Sequence, residues 1–382
     1  MTEILIISHD VVDERMAGPG IRYWEIARVL AKEFQVILAA PDRTSLTHHD
    51  LQVVTYPMDH PQVLAGRTRQ ADVVLAYGYA VGQLPFLREI PTPWIADVYV
   101  PEPTEALGFQ PNAPLDQREQ HYRRVPHALD ALARRADFFV CANERQRDFW
   151  LGVLAAYGRL GPRAYATDPT LRNLVDVVPF GLPCTPPVHR QPVIKGIWPG
   201  IQADDRVILW GGGVWNWFDP ITLLQAMPQV LARHPEAKLV FMGANHPDPD
   251  RVPEMERARE AKTLSRKLGL EGIPPIGGSV LWGDWVPYAE RGAYLMDADV
   301  GVSLHRESIE VRLAFRTRLL DAIWAGLPMV LTRGDELGDE FERLDLGYAV
   351  DAGDVDQVAR AINALLDEAD TRASRQGAFD LM

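Results

Sequence analysis

The chain has 382 residues, 47% hydrophobic and 24% charged. At roughly 100–200 residues per domain this fits two globular domains and excludes disordered and fibrous classes. It carries 39 basic and 52 acidic side chains, a formal charge of −13, which argues against nucleic-acid binding because that rests on phosphate neutralisation.

Short apolar runs alternate with helical patterns, the signature of parallel α/β sheets. Strands are predicted at 3–8, 35–40, 52–55, 72–77, 93–96, 137–141 and 174–178, with helices over 21–32 and roughly 115–135. The opening run Glu3-Ile4-Leu5-Ile6-Ile7 is too short for a signal peptide and lacks a basic flank. Pro179, Pro183, Pro186, Pro187, Pro192 and Pro199 then crowd one short stretch, which reads as a linker. The pattern restarts with strands at 206–210, 238–242, 299–303, 328–331 and 347–350. Helices are predicted at 219–233, 253–268, 287–296, 314–325 and 354–367. The expected architecture is α/β, with two Rossmann-like doubly wound parallel-sheet domains facing across a cleft. They span 1–185 and 204–382, joined by a Pro-rich linker at 186–203. Such sheets bind ligands at the C-terminal ends of their strands.

Only five of the cations are lysines, so anion binding would fall to arginine forks. Cys141 and Cys184 form no CxxC, which leaves no thiol-based metal site and favours a reduced, cytoplasmic chain. No stretch approaches the ~18 apolar residues of a membrane span.

Three segments could carry chemistry. After the first strand, Gly18-Pro19-Gly20-Ile21-Arg22 opens a helix. Glycines there let backbone amides approach an anion or sugar, and Arg22 adds a positive fork; a plain turn is the alternative. It is not a dinucleotide fingerprint, because Tyr23 stands where the third glycine belongs. The second segment runs from Trp210 through Gly211, Gly212 and Gly213 to Trp217 and Asp219. Its glycines permit close backbone approach, its tryptophans either pack or stack on a ligand, and Asp219 reads as a helix cap before Pro220. The third runs from Glu307 to Pro328. Arg316 and Arg318 would stand in the first turn of a helix, where the dipole disfavours cations by roughly 0.3–1 kcal/mol. A bound diphosphate would reverse that sign, and Asp321 one turn on could accept ribose hydroxyls; solvated arginines on a surface helix are the alternative. Arg316 and Arg318 are two apart and so do not share a helical face. Asp97 ends a central strand and could orient an acceptor hydroxyl or cap a loop. His9 and His305 also end strands, and lone histidines are more often structural groups than ligands. No metal-ligand set stands out.

These segments resemble glycosyltransferase family 4 (group 1) of the GT-B architecture. FRTRLLDAIWAGLPMVLTRGD at 315–335 is similar to that family's donor helix, DVVPFGLP at 176–183 to the close of its N-terminal domain, and GDWVPYAERGAYLMDADVGVSLH at 283–305 to its nucleobase segment. GPGIRYWEIARVLA at 18–31 is similar to its N-terminal glycine loop, and CANERQRDFW at 141–150 to its last N-domain strand and helix. By this resemblance Asp321 matches the second acid of the family's E-x7-E motif and Phe315 its aromatic. Trp285 and Val286 fall where the base is held, and Gly18, Gly20, Arg22, Gly212, Gly213 and Thr317 join the donor site. The first acid would stand at 313, which is Leu313, so Glu310 or Glu307 is the candidate replacement. The family's Arg and Lys after the first C-domain strand are absent, and Arg316 and Arg318 are expected to supply the lost charge.

The resemblance implies an enzyme that moves a sugar from a nucleotide-diphosphate sugar to a glycan, lipid-linked or small-molecule acceptor, with retention, no catalytic metal and no cofactor. The expected catalytic group is Asp97, Arg316, Arg318 and Glu310. A sugar-nucleotide epimerase, a phosphorylase and a non-catalytic sugar-nucleotide binder are the rival readings. Seven arginines against four acids in 118–147 offer peripheral contact with anionic lipid at the inner face of the cell membrane, against a solvated helix face. The stretch from Ala373 to Met382 looks too short for the terminal helix that crosses back in many GT-B enzymes.

Overall fold

The computed structural model describes residues 1–110, 112–244, 246–249, 252–272, 278–368, 375 and 379. The expectation for the stretch 373–382 therefore concerns residues outside those described, apart from Arg375 and Phe379. Two compact units emerge. The first comprises Met1–Gly181 with Leu313–Phe315, and the second Leu182–Arg312 with Arg316–Met382.

The first unit is built on seven strands: β1 (Glu3–Ile7), β2 (Gln35–Pro41), β3 (Leu51–Tyr56), β4 (Val73–Tyr77), β5 (Trp94–Asp97), β6 (Phe138–Cys141) and β7 (Val175–Val177). All pair in parallel in the order β3-β2-β1-β4-β5-β6-β7. Near-continuous apolar runs such as Ile4-Leu5-Ile6-Ile7 suit strands covered on both faces, and Leu5, Ile6 and Ile7 are fully buried. The strand order reverses between β1 and β4, the kind of point at which open parallel sheets bind ligands.

The second unit repeats the plan with β8 (Arg206–Gly211), β9 (Ala237–Met242), β10 (Val280–Gly283), β11 (Val300–Ser303), β12 (Met329–Thr332) and β13 (Gly347–Val350), ordered β10-β9-β8-β11-β12-β13. Its reversal falls between β8 and β11, whose following loops carry Gly212 and His305. Strand β10 is not among the strands expected from the sequence, because a four-residue edge strand is too short to show a period.

Three predicted helices take different forms. The stretch 115–135 is two helices, Leu115–Tyr122 and Arg124–Arg135. Pro126, which has no N–H to continue a helix, sits in the first turn of the second. The stretch 287–296 is a single 3-10 turn, Tyr288–Glu290, followed by the helix Arg291–Asp297. The helix expected from Ala314 begins at Thr317 and ends at Ala325, with Gly326 in the left-handed conformation closing it. A separate short helix, Ile309–Leu313, precedes it.

The Pro-rich stretch has no helix or strand between 182 and 203, yet it is fastened to the second unit. One oxygen of Asp297 accepts the amides of Val193, Ile194 and Lys195 at 2.8, 2.6 and 3.1 Å, and the other lies 3.0 Å from His189 Nε2. Among the described residues, no helix is long and apolar enough to cross a membrane.

Candidate functional site

At the C-terminal edge of the second sheet, β8 runs out into Gly211-Gly212-Gly213. Gly212 has φ +91°, a conformation side chains rarely adopt. A Cβ at Gly213 would stand 3.3 Å from the rings of both Trp215 and Trp285, and one at Gly243 (φ +91°) 3.1 Å from Trp285. The glycines thus make a floor on which Trp285 lies. Half-buried Trp215 stacks on Trp217 at 5.6 Å and 8°, and His246 lies 5.8 Å from both Trp215 and Trp285. Val286, next along, packs against the core of the unit. Asp219 caps the helix Pro220–Arg233, its carboxylate accepting the Thr222 amide and hydroxyl.

Arg316 and Arg318 do not act alike. Arg316 is the N-cap residue of the helix Thr317–Ala325 rather than part of its first turn. Its Nε lies 2.7 Å from Asp335 Oδ2, both side chains are nearly inaccessible, and Nη1 donates to the Thr332 carbonyl at 2.6 Å. Asp335 in turn caps the helix Glu336–Arg343 through the Gly338 amide. Arg316 is therefore a buried structural cation that joins β12 to the following helix. Arg318 turns toward the glycine floor. Nη2 donates to the Gly213 carbonyl, and the guanidinium lies 4.0 Å over the Phe218 ring and 5.2 Å from Trp210. Its Nη1 is shut off from solvent without a hydrogen-bond partner, and no carboxylate forms an ion pair with it among the described residues. Burial pushes its pKa down to about 9 against the pull of Asp321, which leaves it charged near neutrality.

Thr317 opens the helix Thr317–Ala325, whose N-terminus has no side-chain cap, and the Leu319 amide donates to the Arg316 carbonyl at 3.0 Å. Asp321 is partly committed, since Arg291 Nε donates to its Oδ1 at 3.0 Å. Burial raises its carboxyl against the lowering effect of Arg291. Glu310 sits in the short helix 309–313, buried, with Oε2 unpartnered among the described residues. Burial lifts its pKa to about 7, Arg316 opposing and Asp335 adding to the rise. Glu307 is exposed. Phe315 belongs to the first unit, where its ring stacks on Phe180 at 5.6 Å and 15°.

In the first unit, Gly18 and Gly20 open the helix Gly18–Leu30 but differ in surroundings. Gly18 has open space where a Cβ would be, whereas one at Gly20 would fall 2.0 Å from the Val11 carbonyl oxygen. The Arg22 fork is already used. Nε and Nη2 donate to Asp97 at 2.6 and 3.0 Å, and Nη2 also to the Val178 carbonyl at 2.9 Å. Both side chains are essentially inaccessible, so sequence candidates 75 residues apart pair with each other as an electrically neutral unit. Around them, His9 stacks on Tyr77 at 4.4 Å, and the Tyr77 hydroxyl donates to Glu102 at 2.6 Å. Burial lowers the pKa of His9 and raises that of Glu102.

Sequence reasoning set His305 aside, although it lies close to Arg318 in the second unit. Ser303, Gly243 and His246 it missed altogether. Their one signal was position, at or just beyond the end of an apolar strand run. Both cysteines are free thiols. Among the described residues, one group of ligating type, His48, His49 and Asp50 on the loop between β2 and β3, could hold a metal ion. Of the seven arginines in 118–147, Arg134 and Arg135 pair with Asp130 and Asp137, and Arg147 is buried on the carbonyls of Thr170 and Val175.

Residues 205–368 match the family model described as glycosyl transferases group 1. No curated protein matches the chain. Solved structures match it along almost its whole length. Sucrose-phosphate synthase from Thermosynechococcus elongatus is 15% identical, with 99% of this chain and 95% of that chain covered and a TM-score of 0.63. The trehalose-6-phosphate structure from E. coli bound with UDP-2-fluoro glucose is 13% identical, covering 100% and 95% at 0.63. The Anabaena HepE complex with UDP-glucose is 14% identical, covering 99% and 96% at 0.62. The chain thus has the fold of GT-B glycosyltransferases, and residues 205–368 are similar to the group 1 glycosyltransferase model.

Proposed function

We propose that the protein transfers a sugar from a nucleoside-diphosphate sugar to a hydroxyl acceptor with retention of anomeric configuration, the diphosphate resting on the second sheet. The observation that carries this reading is Arg318, an ionised guanidinium with no ion-pair partner among the described residues. It is fixed beside a positive-φ glycine loop and stands in the first turn of a helix with no side-chain cap. Asp321 acts on this cation without forming an ion pair with it, and a ligand anion would complete its charge balance. Sugar transfer builds charge on the departing phosphate, and preorganised donors of this kind stabilise it. Trp285 and the neighbouring rings offer stacking faces to a base, and Asp321 Oδ2 offers an acceptor for sugar hydroxyls. Two of the similar structures were solved with a UDP-sugar bound, which makes a UDP-sugar the first donor to try. The acceptor would bind on the first unit, near the end of β5.

The experiment is a thermal-shift screen of nucleotide sugars, followed by nucleoside-diphosphate release with and without an acceptor panel. A binding donor raises the apparent melting temperature, and acceptor-dependent release separates transfer from epimerisation or simple binding. Arg318→Ala should lower turnover about 10²–10³-fold. Arg316→Ala should instead destabilise the fold by about 3–5 kcal/mol, because it leaves Asp335 buried without its counter-charge. No stabilising donor, or unchanged kinetics in Arg318→Ala, overturns the reading.

A further inference from the structure

We propose that His305 is a second clamp for the donor's diphosphate, holding a phosphate oxygen on a ring N–H beside Arg318 and taking up one proton from solvent as the anion binds. This rests on the donor-site reading above and adds a residue and a proton to it.

His305 follows β11 and is 3% exposed. Its main chain is fixed, for its amide donates to Thr332 Oγ1 at 3.0 Å and its backbone bridges Phe218. The ring is fixed too, edge-on to Phe218 at 4.6 Å and 84°. The same Phe218 ring carries the Arg318 guanidinium at 4.0 Å, so one aromatic side chain positions both groups. Yet neither ring nitrogen of His305 has a hydrogen-bond partner among the described residues, and both are closed to solvent. Buried structural histidines ordinarily satisfy at least one nitrogen. Arg318 Nη1 and the Ser303 hydroxyl, at the end of the same strand, are unpartnered as well. The His305 ring and the Arg318 guanidinium, both set on Phe218, thus hold orphaned polar atoms, which mark a site built for a polar ligand.

The charges acting on the ring set the class of that ligand. They are Arg316 and Arg318, both positive, and with burial they hold the imidazole neutral. The charge of Arg316 is matched by Asp335, and Glu310 and Asp339 also act on it. That of Arg318 is matched by no ion pair among the described residues. A diphosphate beside Arg318 reverses the local field and offers acceptor oxygens, and both changes favour the imidazolium. The balance is simple: neutral imidazole plus one solvent proton gives an imidazolium paired with phosphate, and the proton returns to solvent when the nucleoside diphosphate leaves. While bound, the imidazolium stabilises the charge that grows on the leaving group.

The test is isothermal titration calorimetry of the full chain with UDP, ADP and GDP, with inorganic pyrophosphate alongside, at pH 7.5 in Tris and in HEPES. For the tightest nucleotide, wild type should show enthalpies that differ by close to one proton's worth of buffer ionisation heat. His305→Asn should show no buffer dependence and bind about tenfold more weakly. Equal enthalpies in the two buffers for wild type overturn the proposal while leaving the donor site intact, and so does proton uptake that survives in His305→Asn. If none of the three nucleotides binds wild type, the donor-site reading falls and this proposal with it. The wild-type buffer comparison decides the matter even where the variant fails to fold.

Discussion

Glu310 offers a test whose size can be worked from its surroundings. Its carboxyl titrates near 7 because it is buried, with Asp335 adding to the rise and Arg316 only partly offsetting it. An unfolded glutamate titrates near its ordinary 4.5. At about 1.36 kcal/mol per pH unit, that gap corresponds to about 3 kcal/mol. The folded state holds the proton more tightly, so this penalty is absent below about pH 4.5, grows as pH rises and is complete above about pH 7. Glu310→Gln keeps the shape and removes the charge. Urea unfolding from pH 5.0 to 8.5, followed by tryptophan fluorescence, should give nearly equal stabilities at the acid end. By pH 8.5 the variant should be more stable by about 3 kcal/mol, a midpoint shift of about 1 M at an m-value of about 3 kcal/mol/M. Parallel pH profiles, or a variant less stable at pH 8.5, would refute the account of Glu310 as a buried acid that carries its proton into the neutral range.

Two further predictions concern the first unit. Gly20→Ala places a methyl against the Val11 carbonyl oxygen and should lower stability by about 1–3 kcal/mol. Gly18→Ala, two residues away in open space, should be neutral or stabilise by about 0.4–1 kcal/mol; equal melting temperatures for the two variants would contradict the geometry. Arg22→Met and Asp97→Asn should each cost about 3–5 kcal/mol by stranding a buried charge, and the double variant less than their sum. A double-mutant cycle read by denaturant unfolding measures that coupling, and strict additivity would mean the pair does not act as a unit.

The fold was legible because parallel strands covered on both faces are apolar along their whole length, as Ile4 to Ile7 and Val207 to Trp210 are. Edge strand β10, with four residues, has too little pattern to register. Pro126 was a readable signal against one continuous helix over 115–135. The glycines at 212 and 213 were also legible, since only a glycine serves where φ is positive or two tryptophan rings close in. What a linear pattern could not supply was pairing across the chain. Arg22 finds Asp97 75 residues away, and Arg316 finds Asp335 19 residues on. Both arginines therefore looked like free cations until their partners were seen. Conversely, His305 looked like an ordinary strand-end residue, because an unpartnered ring nitrogen is a property of its surroundings and not of its neighbours in sequence.

The carboxylate of Asp297 has a practical consequence. By gathering three successive amides it makes a stretch without helix or strand behave as part of the second sheet's own body. A dissection of the gene that severed the chain after residue 203, where the Pro-rich linker read from the sequence ends, would leave that acid facing solvent with its amides gone. A cut meant to release the second sheet intact has to fall upstream of His189, so that the strap travels with the body it fastens.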